Sequence, residues 1–243
     1  MLRFRLTAGY AVALLALMFL TQEVRMSLRM LLLRATCGCW GNRTFSDWES
    51  CTTCAATEAG QLGGQALGAG LPYLQMWLGY LLLDESNQAR TRAFGLALVF
   101  AGLPLARLTS ATLAAGPETY VLRQLMGEWG ASWLATILLV LLLVVPPAIR
   151  AHDALVHPRR GVVFLGMLVV PLVANAVVVA GVLNPLLRVG VLASYGPLHV
   201  PWLALLWLGV LAAVLVASCR CLSLGEEAGR FSVFRHQRTS GLA

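Results

Sequence analysis

Six stretches of the chain, at 6–26, 61–83, 93–115, 131–149, 161–184 and 200–219, are long and apolar enough to be read as bilayer-crossing helices. A spanning helix takes about 20 mostly apolar residues. A helix also satisfies its own backbone hydrogen bonds where no water is present. The expected fold class is therefore all-α, a polytopic membrane helix bundle of about six transmembrane helices over 1–221, with a solvated or interfacial tail at 222–243. Composition agrees: 58% of the 243 residues are hydrophobic and 12% charged, where a soluble domain carries about 25% charged residues. This excludes a soluble globular enzyme, a disordered chain and a fibrous repeat.

The charge of +7 does not point to nucleic acid. All 18 basic residues are arginine, and they are scattered through short loops, so the partner they imply is the lipid bilayer. Isoleucine occurs only at Ile137 and Ile149, while Leu, Ala, Gly and Val abound. That bias fits a GC-rich, bacterial genome, and hence the bacterial cytoplasmic (inner) membrane. Arg3 and Arg5 precede the apolar run Leu6 to Leu20 as in a signal peptide. Thr21, Gln22 and Glu23 follow it in place of a small-x-small cleavage site, so the segment is expected to be retained.

Arginine placement sets the orientation. With a cytoplasmic N-terminus, the inside carries Arg3, Arg5, Arg90, Arg92, Arg150, Arg159, Arg160, Arg220, Arg230, Arg235 and Arg238. The outside carries Arg25, Arg29, Arg34, Arg43, Arg123 and Arg188. The bias puts both termini in the cytoplasm. The outer count is raised by 25–34, read as an embedded or interfacial helix. Trp129, Trp133 and Trp202 fall near span ends, as aromatic belts do.

Between the first two spans, at about 35–58, lies an outer loop holding Cys37, Cys39, Cys51 and Cys54 within 18 positions. In the periplasm disulfides persist, and two structural disulfides are the simplest reading. A four-thiolate zinc knot is the second, since C-x2-C is a good half-site and C-x-C a tighter one than usual. The third is a redox-active Cys51/Cys54 pair, resembling the C-x-x-C of quinone-linked disulfide-generating membrane proteins; the later outer loops hold no second pair. In the second span Gly60, Gly64 and Gly68 recur every four residues on one helix face. That pattern suits a close helix–helix seam or a glycine-lined path.

Ionisable residues within spans are functional candidates, because an unpaired charge there costs at least ~2.5–3.5 kcal/mol. Glu23, Arg107, Asn175 and Arg188 form the polar intramembrane set, with Arg25 beside Glu23. Glu23 is expected to pair with Arg107 or Arg188 across the bundle, or with Arg25 or Arg29 locally. The four histidines, His152, His157, His199 and His236, lack the i,i+4 spacing of a helical zinc site and read as interfacial or solvated.

Gln22-Glu23-Val24-Arg25-Met26 keeps the frame of H-E-x-x-H, in which two histidines hold zinc and the glutamate activates water. Only Glu23 matches. Asn184-Pro185-x-x-Arg188 keeps the frame of N-P-x-x-D with the acid replaced. On these residues the chain resembles site-2-protease-type intramembrane metallopeptidases with degenerate ligand motifs. The resemblance implies a scaffold without its metal, a non-catalytic protein holding another membrane protein or a hydrophobic peptide. No cofactor is expected beyond the zinc alternative at the cysteine loop. The favoured function is a non-catalytic binding or scaffolding protein of the inner membrane. The alternatives are a membrane thiol–disulfide oxidoreductase using Cys51/Cys54, and a small-solute transporter using Arg107 and the second-span glycines. The transporter reading lacks an internal repeat and paired broken helices.

Overall fold

The computed structural model describes residues 7–46, 48–49 and 58–219, apart from the side chains at 48, 49 and 58–61. The described chain is all-α but for one two-stranded hairpin. Helix α1, Ala8–Cys37, has 30 residues, about 45 Å at 1.5 Å per residue. That exceeds a hydrocarbon core of about 30 Å. The first expected span therefore runs on: 25–34 is the continuation of α1, not a separate interfacial helix. Thr7 caps its start by accepting the Tyr10 N–H at 3.2 Å. Gly38 ends it at φ 71°, giving its N–H to Arg34 O at 3.0 Å, a left-handed cap that glycine adopts without a Cβ penalty. The Arg34 guanidinium also donates to Gly38 O.

Strand β1 (Asn42–Arg43) then pairs antiparallel with β2 (Trp48–Glu49), with Arg43 opposite Trp48. Helix α2, Glu58–Leu82, returns along α1. The third expected span is not one helix. It breaks into α3 (Ala89–Ala101) and α4 (Pro104–Thr112). Pro104 disfavours helical backbone at the residue before it, and Leu103 sits at φ 55°, ψ 59°. Helix α5, Pro117–Met126, is a short element before α6, Trp129–Ala154. Helix α7, Arg160–Asn175, continues through a π-helical stretch, Ala176–Leu183, into α8, Asn184–Arg188. There the Asn184 N–H reaches five residues back to Val179 O. The last helix, α9, is Trp202–Ser218.

Four helical stretches are long and apolar enough to cross a membrane: Ala8–Cys37, Ala89–Thr112, Trp129–Ala154 and Arg160–Arg188. Trp202–Ser218 is a shorter apolar helix. The broken α3–α4 stretch is the most enclosed, with 67% of its most apolar window buried, against 28% for α6 and 11% for Arg160–Arg188. The last two present Leu138, Leu142, Val162, Leu165, Val170 and Val177 outward, as lipid-facing helices do.

Small residues set the closest helix contact. A Cβ on Gly79 of α2 would lie 2.6 Å from Gly95 O of α3, and one on Gly95 would lie 2.9 Å from Gly79 O. Such backbone approach substitutes for the hydrophobic drive that lipid cannot supply. Polar side chains fasten the same helices: Thr21 of α1 donates to Gln75 Oε1 at 2.8 Å, and Gln75 Nε2 donates to Leu98 O at 3.1 Å. Arg150 meets Asp84 at 3.0 Å at the end of the bundle opposite the hairpin. At the hairpin end, Trp129 and Trp202 are half-exposed, and Trp133 donates to Thr112 O at 3.1 Å.

Candidate functional site

Glu23 lies midway along α1 and is buried. None of its four expected partners holds it. Arg43 of β1 folds back beside α1 and places its Nη2 2.5 Å from Glu23 Oε2, with side-chain exposures of 1% and 7%. Arginines on the same helix or across the bundle were the natural candidates on spacing grounds. The missing signal was the path of the loop, which turns back after α1 and brings β1 against it.

A second buried pair forms deeper in the fold. Arg107 of α4 lies 3.4 Å from Glu118 of α5, and Tyr73 of α2 donates its hydroxyl to the same carboxylate at 2.7 Å. The Arg107 guanidinium stands 5.9 Å from the centre of the Tyr73 ring, within cation–π range. Glu118 occupies the first turn of α5, where a carboxylate complements the helix dipole. Neither Glu118 nor Tyr73 was among the expected site residues. Glu118 lies between the expected spans at 93–115 and 131–149, outside every apolar run.

Between these pairs lies a cavity of about 260 Å³ that Gln22, Glu23, Arg25, Arg107 and Asn175 all line. Three of the four polar intramembrane residues thus meet. Ser46 and Phe45 of the loop and Ser110 of α4 also line it, as do the apolar Phe19, Val179 and Trp207. Two backbone irregularities converge here. Leu103, Ala106 and Arg107 flank the α3/α4 break, and Asn175 and Val179 flank or lie in the π-helical stretch. Discontinuous helices and π-bulges recur at binding sites within membranes and elsewhere.

Arg25 is the odd charge at this site. Its Nε is buried without a hydrogen-bond partner among the described residues. Arg29 and Arg107 repel its charge, and Glu118 attracts it at longer range.

Arg188 stands apart. It is exposed and lines a second cavity of about 340 Å³ with Asn42, Arg43, Asn184 and Tyr195. Asn184 fixes the loop: its Oδ1 accepts the Phe45 N–H at 3.1 Å, and its Nδ2 donates to Ser46 Oγ at 2.7 Å. Tyr195 reaches Asn42 Oδ1 at 3.2 Å. The Asn184-Pro185 segment therefore anchors the hairpin, while Met26, fully buried, packs in the core. The two degenerate motif frames do not line a common cavity.

The glycine face serves a cation. At Gly68 the Arg29 side chain fills the space a Cβ would take. Gly64 is buried, and the surroundings of Gly60 lie outside the described residues. Cys37 and Cys39 are in disulfide form; Cys51 and Cys54 lie outside the described residues. Among the described residues no group of three or more His, Cys, Asp or Glu could hold a metal ion.

No family model matches the chain, and no curated protein or solved structure is significantly similar to it.

Proposed function

We propose that the chain is a bacterial inner-membrane protein of about six spans that binds a ligand in the polar cavity beneath its cysteine loop and performs no chemistry on it. One observation carries this reading: Gln22, Glu23, Arg25, Arg107 and Asn175, from three separate helical stretches, line a single cavity at two backbone irregularities. Glu23, the residue that would activate water in the metallopeptidase frame, is instead bound by Arg43. Its Oε2 is taken up by that ion pair, which supports a structural role for the carboxylate.

Both termini are cytoplasmic in this reading. Of the arginines assigned to the outer side, Arg29 and Arg43 are buried inside the protein. They carry no weight as loop charges, nor does the buried Arg92 of the inner set, and the inward bias remains. The cysteine loop then faces the periplasm, where two disulfides among Cys37, Cys39, Cys51 and Cys54 would stiffen the segment that bears Arg43, Phe45 and Ser46. The α3/α4 break also favours a second reading, passage of a small solute through the same cavity.

Metal analysis and thiol counting on purified full-length protein test the non-catalytic reading. The expected result is no stoichiometric zinc, with Cys37, Cys39, Cys51 and Cys54 all unreactive until reduced. Stoichiometric zinc bound outside the loop would overturn it. Four reactive loop thiols in metal-free native protein would overturn the disulfide frame.

A further inference from the structure

We propose that the ligand's recognised group is an anion, a carboxylate or a phosphate ester, held between the guanidinium groups of Arg25 and Arg107. This rests on the binding reading above and names the class of its ligand.

The charge arrangement is the first ground. Of the three ionised side chains lining the cavity, Glu23 is already neutralised by Arg43. Arg107 has one carboxylate contact, at 3.4 Å, to Glu118, which does not line the cavity. Arg25 has no ion-pair or hydrogen-bond partner among the described residues and repels Arg107. The cavity is therefore lined by two guanidinium groups and by one carboxylate, Glu23, that Arg43 already pairs. A planar guanidinium binds carboxylate and phosphate oxygens through paired N–H donors, and an anion between two of them removes their mutual repulsion. A cationic ligand would add to it.

Shape is the second ground. Neutral hydrogen-bonding groups, Gln22, Ser46 and Ser110, line the cavity together with the apolar Phe19, Val179 and Trp207. At about 260 Å³ the space fits a head group or a small acid and not a whole lipid. The same chemistry suits a lipid headgroup entering from the bilayer or a soluble anion entering from the loop side.

The test uses the full-length protein in an uncharged detergent, followed by thermal unfolding. Inorganic phosphate, octanoate and dioctanoyl phosphatidylglycerol are titrated, with uncharged dioctanoylglycerol as control. At least one anion is expected to raise Tm saturably, as any ligand of the folded state must, and the neutral control is not. A shift with phosphatidylglycerol alone identifies a membrane lipid as the source; a shift with phosphate or octanoate identifies a soluble one. Arg25→Gln is expected to weaken the binding at least tenfold while unfolding, without ligand, no lower than the parent, because the arginine it removes has no partner. Arg25→Lys keeps the charge and the saturable shift, and Arg123→Gln, an exposed change on α5, leaves the affinity unchanged. No shift with any of the three anions overturns the proposal, as does parent-like binding by Arg25→Gln. A cavity reached by thiol reagents in a protein that no anion stabilises would remove the anion and leave the binding reading in place.

Discussion

Replacing Glu23 by alanine is expected to lower the stability of the folded protein by ~3–5 kcal/mol, the cost typical of breaking a buried ion pair in soluble proteins. The loss comes from Arg43, whose guanidinium is left without its carboxylate at 1% side-chain exposure. Its Nε and Nη1 are already buried without hydrogen-bond partners among the described residues. Arg43→Ala should cost a similar amount by stranding Glu23. The matched change of Glu23 to glutamine and Arg43 to methionine should recover most of either loss, since desolvating two charges offsets much of their attraction. Thermal or denaturant unfolding in detergent measures all four proteins. Arg188→Ala, a change at an exposed residue in the neighbouring cavity, should shift stability little and add independently to Glu23→Ala. A Glu23→Ala protein as stable as the parent would contradict the pairing.

Glu118→Ala is expected to be comparably severe, about 3–5 kcal/mol on the same scale. Two partners lose their acceptor at once, the Arg107 guanidinium and the Tyr73 hydroxyl. The same carboxylate also attracts Arg25, which Arg107 repels. Its removal leaves Arg25 and Arg107 facing each other in a medium of low dielectric constant without the carboxylate that attracts both. Adding Arg25→Gln to Glu118→Ala should therefore recover part of the stability, although Arg25 does not touch Glu118 through any hydrogen bond. Unfolding measurements on the two single variants and the double read this coupling. Strict additivity of the two changes would show that Glu118 does not balance the arginine group.

Much of the architecture was legible because apolar run length and helix length answer to the same bilayer. The helices α2, α6, α7 and α9 fall on expected spans. The departures have local causes. The end of α1 was set too early because Glu23, Arg25, Arg29 and Arg34 read as the edge of the membrane, whereas Glu23 and Arg29 are buried against other elements. The third span was read through Gly102-Leu103-Pro104, yet Pro104 opens a new helix and Leu103 turns left-handed. The fifth runs past Asn184-Pro185 because the π-helical stretch absorbs the missing proline N–H.

At the site, a charge inside an apolar run is conspicuous, so Glu23, Arg107 and Asn175 could be singled out and do line one cavity. Their partners could not. Arg43 and Glu118 lie in loop-like sequence, where charges are ordinary, and only the chain path brings them inside. The backbone-to-backbone glycine contact was missed for a related reason. Gly79 and Gly95 lie on different helices, so no repeat in one helix announces them, while the regular Gly60, Gly64 and Gly68 face accommodates Arg29 at Gly68.

The central claim is that a water-reachable polar cavity opens beneath the cysteine loop. Labelling of a Ser110→Cys variant by a membrane-impermeant maleimide tests it most directly. Ser110 lines the cavity and is only partly buried, and the substitution keeps its size. Cys219 and Cys221 are changed to serine to remove the thiols at the far end of the chain. Labelling of intact sealed membranes from the cysteine-loop side, and not from the opposite side, is the expected result. Labelling only from the opposite side, or only after the protein is unfolded, would contradict the account.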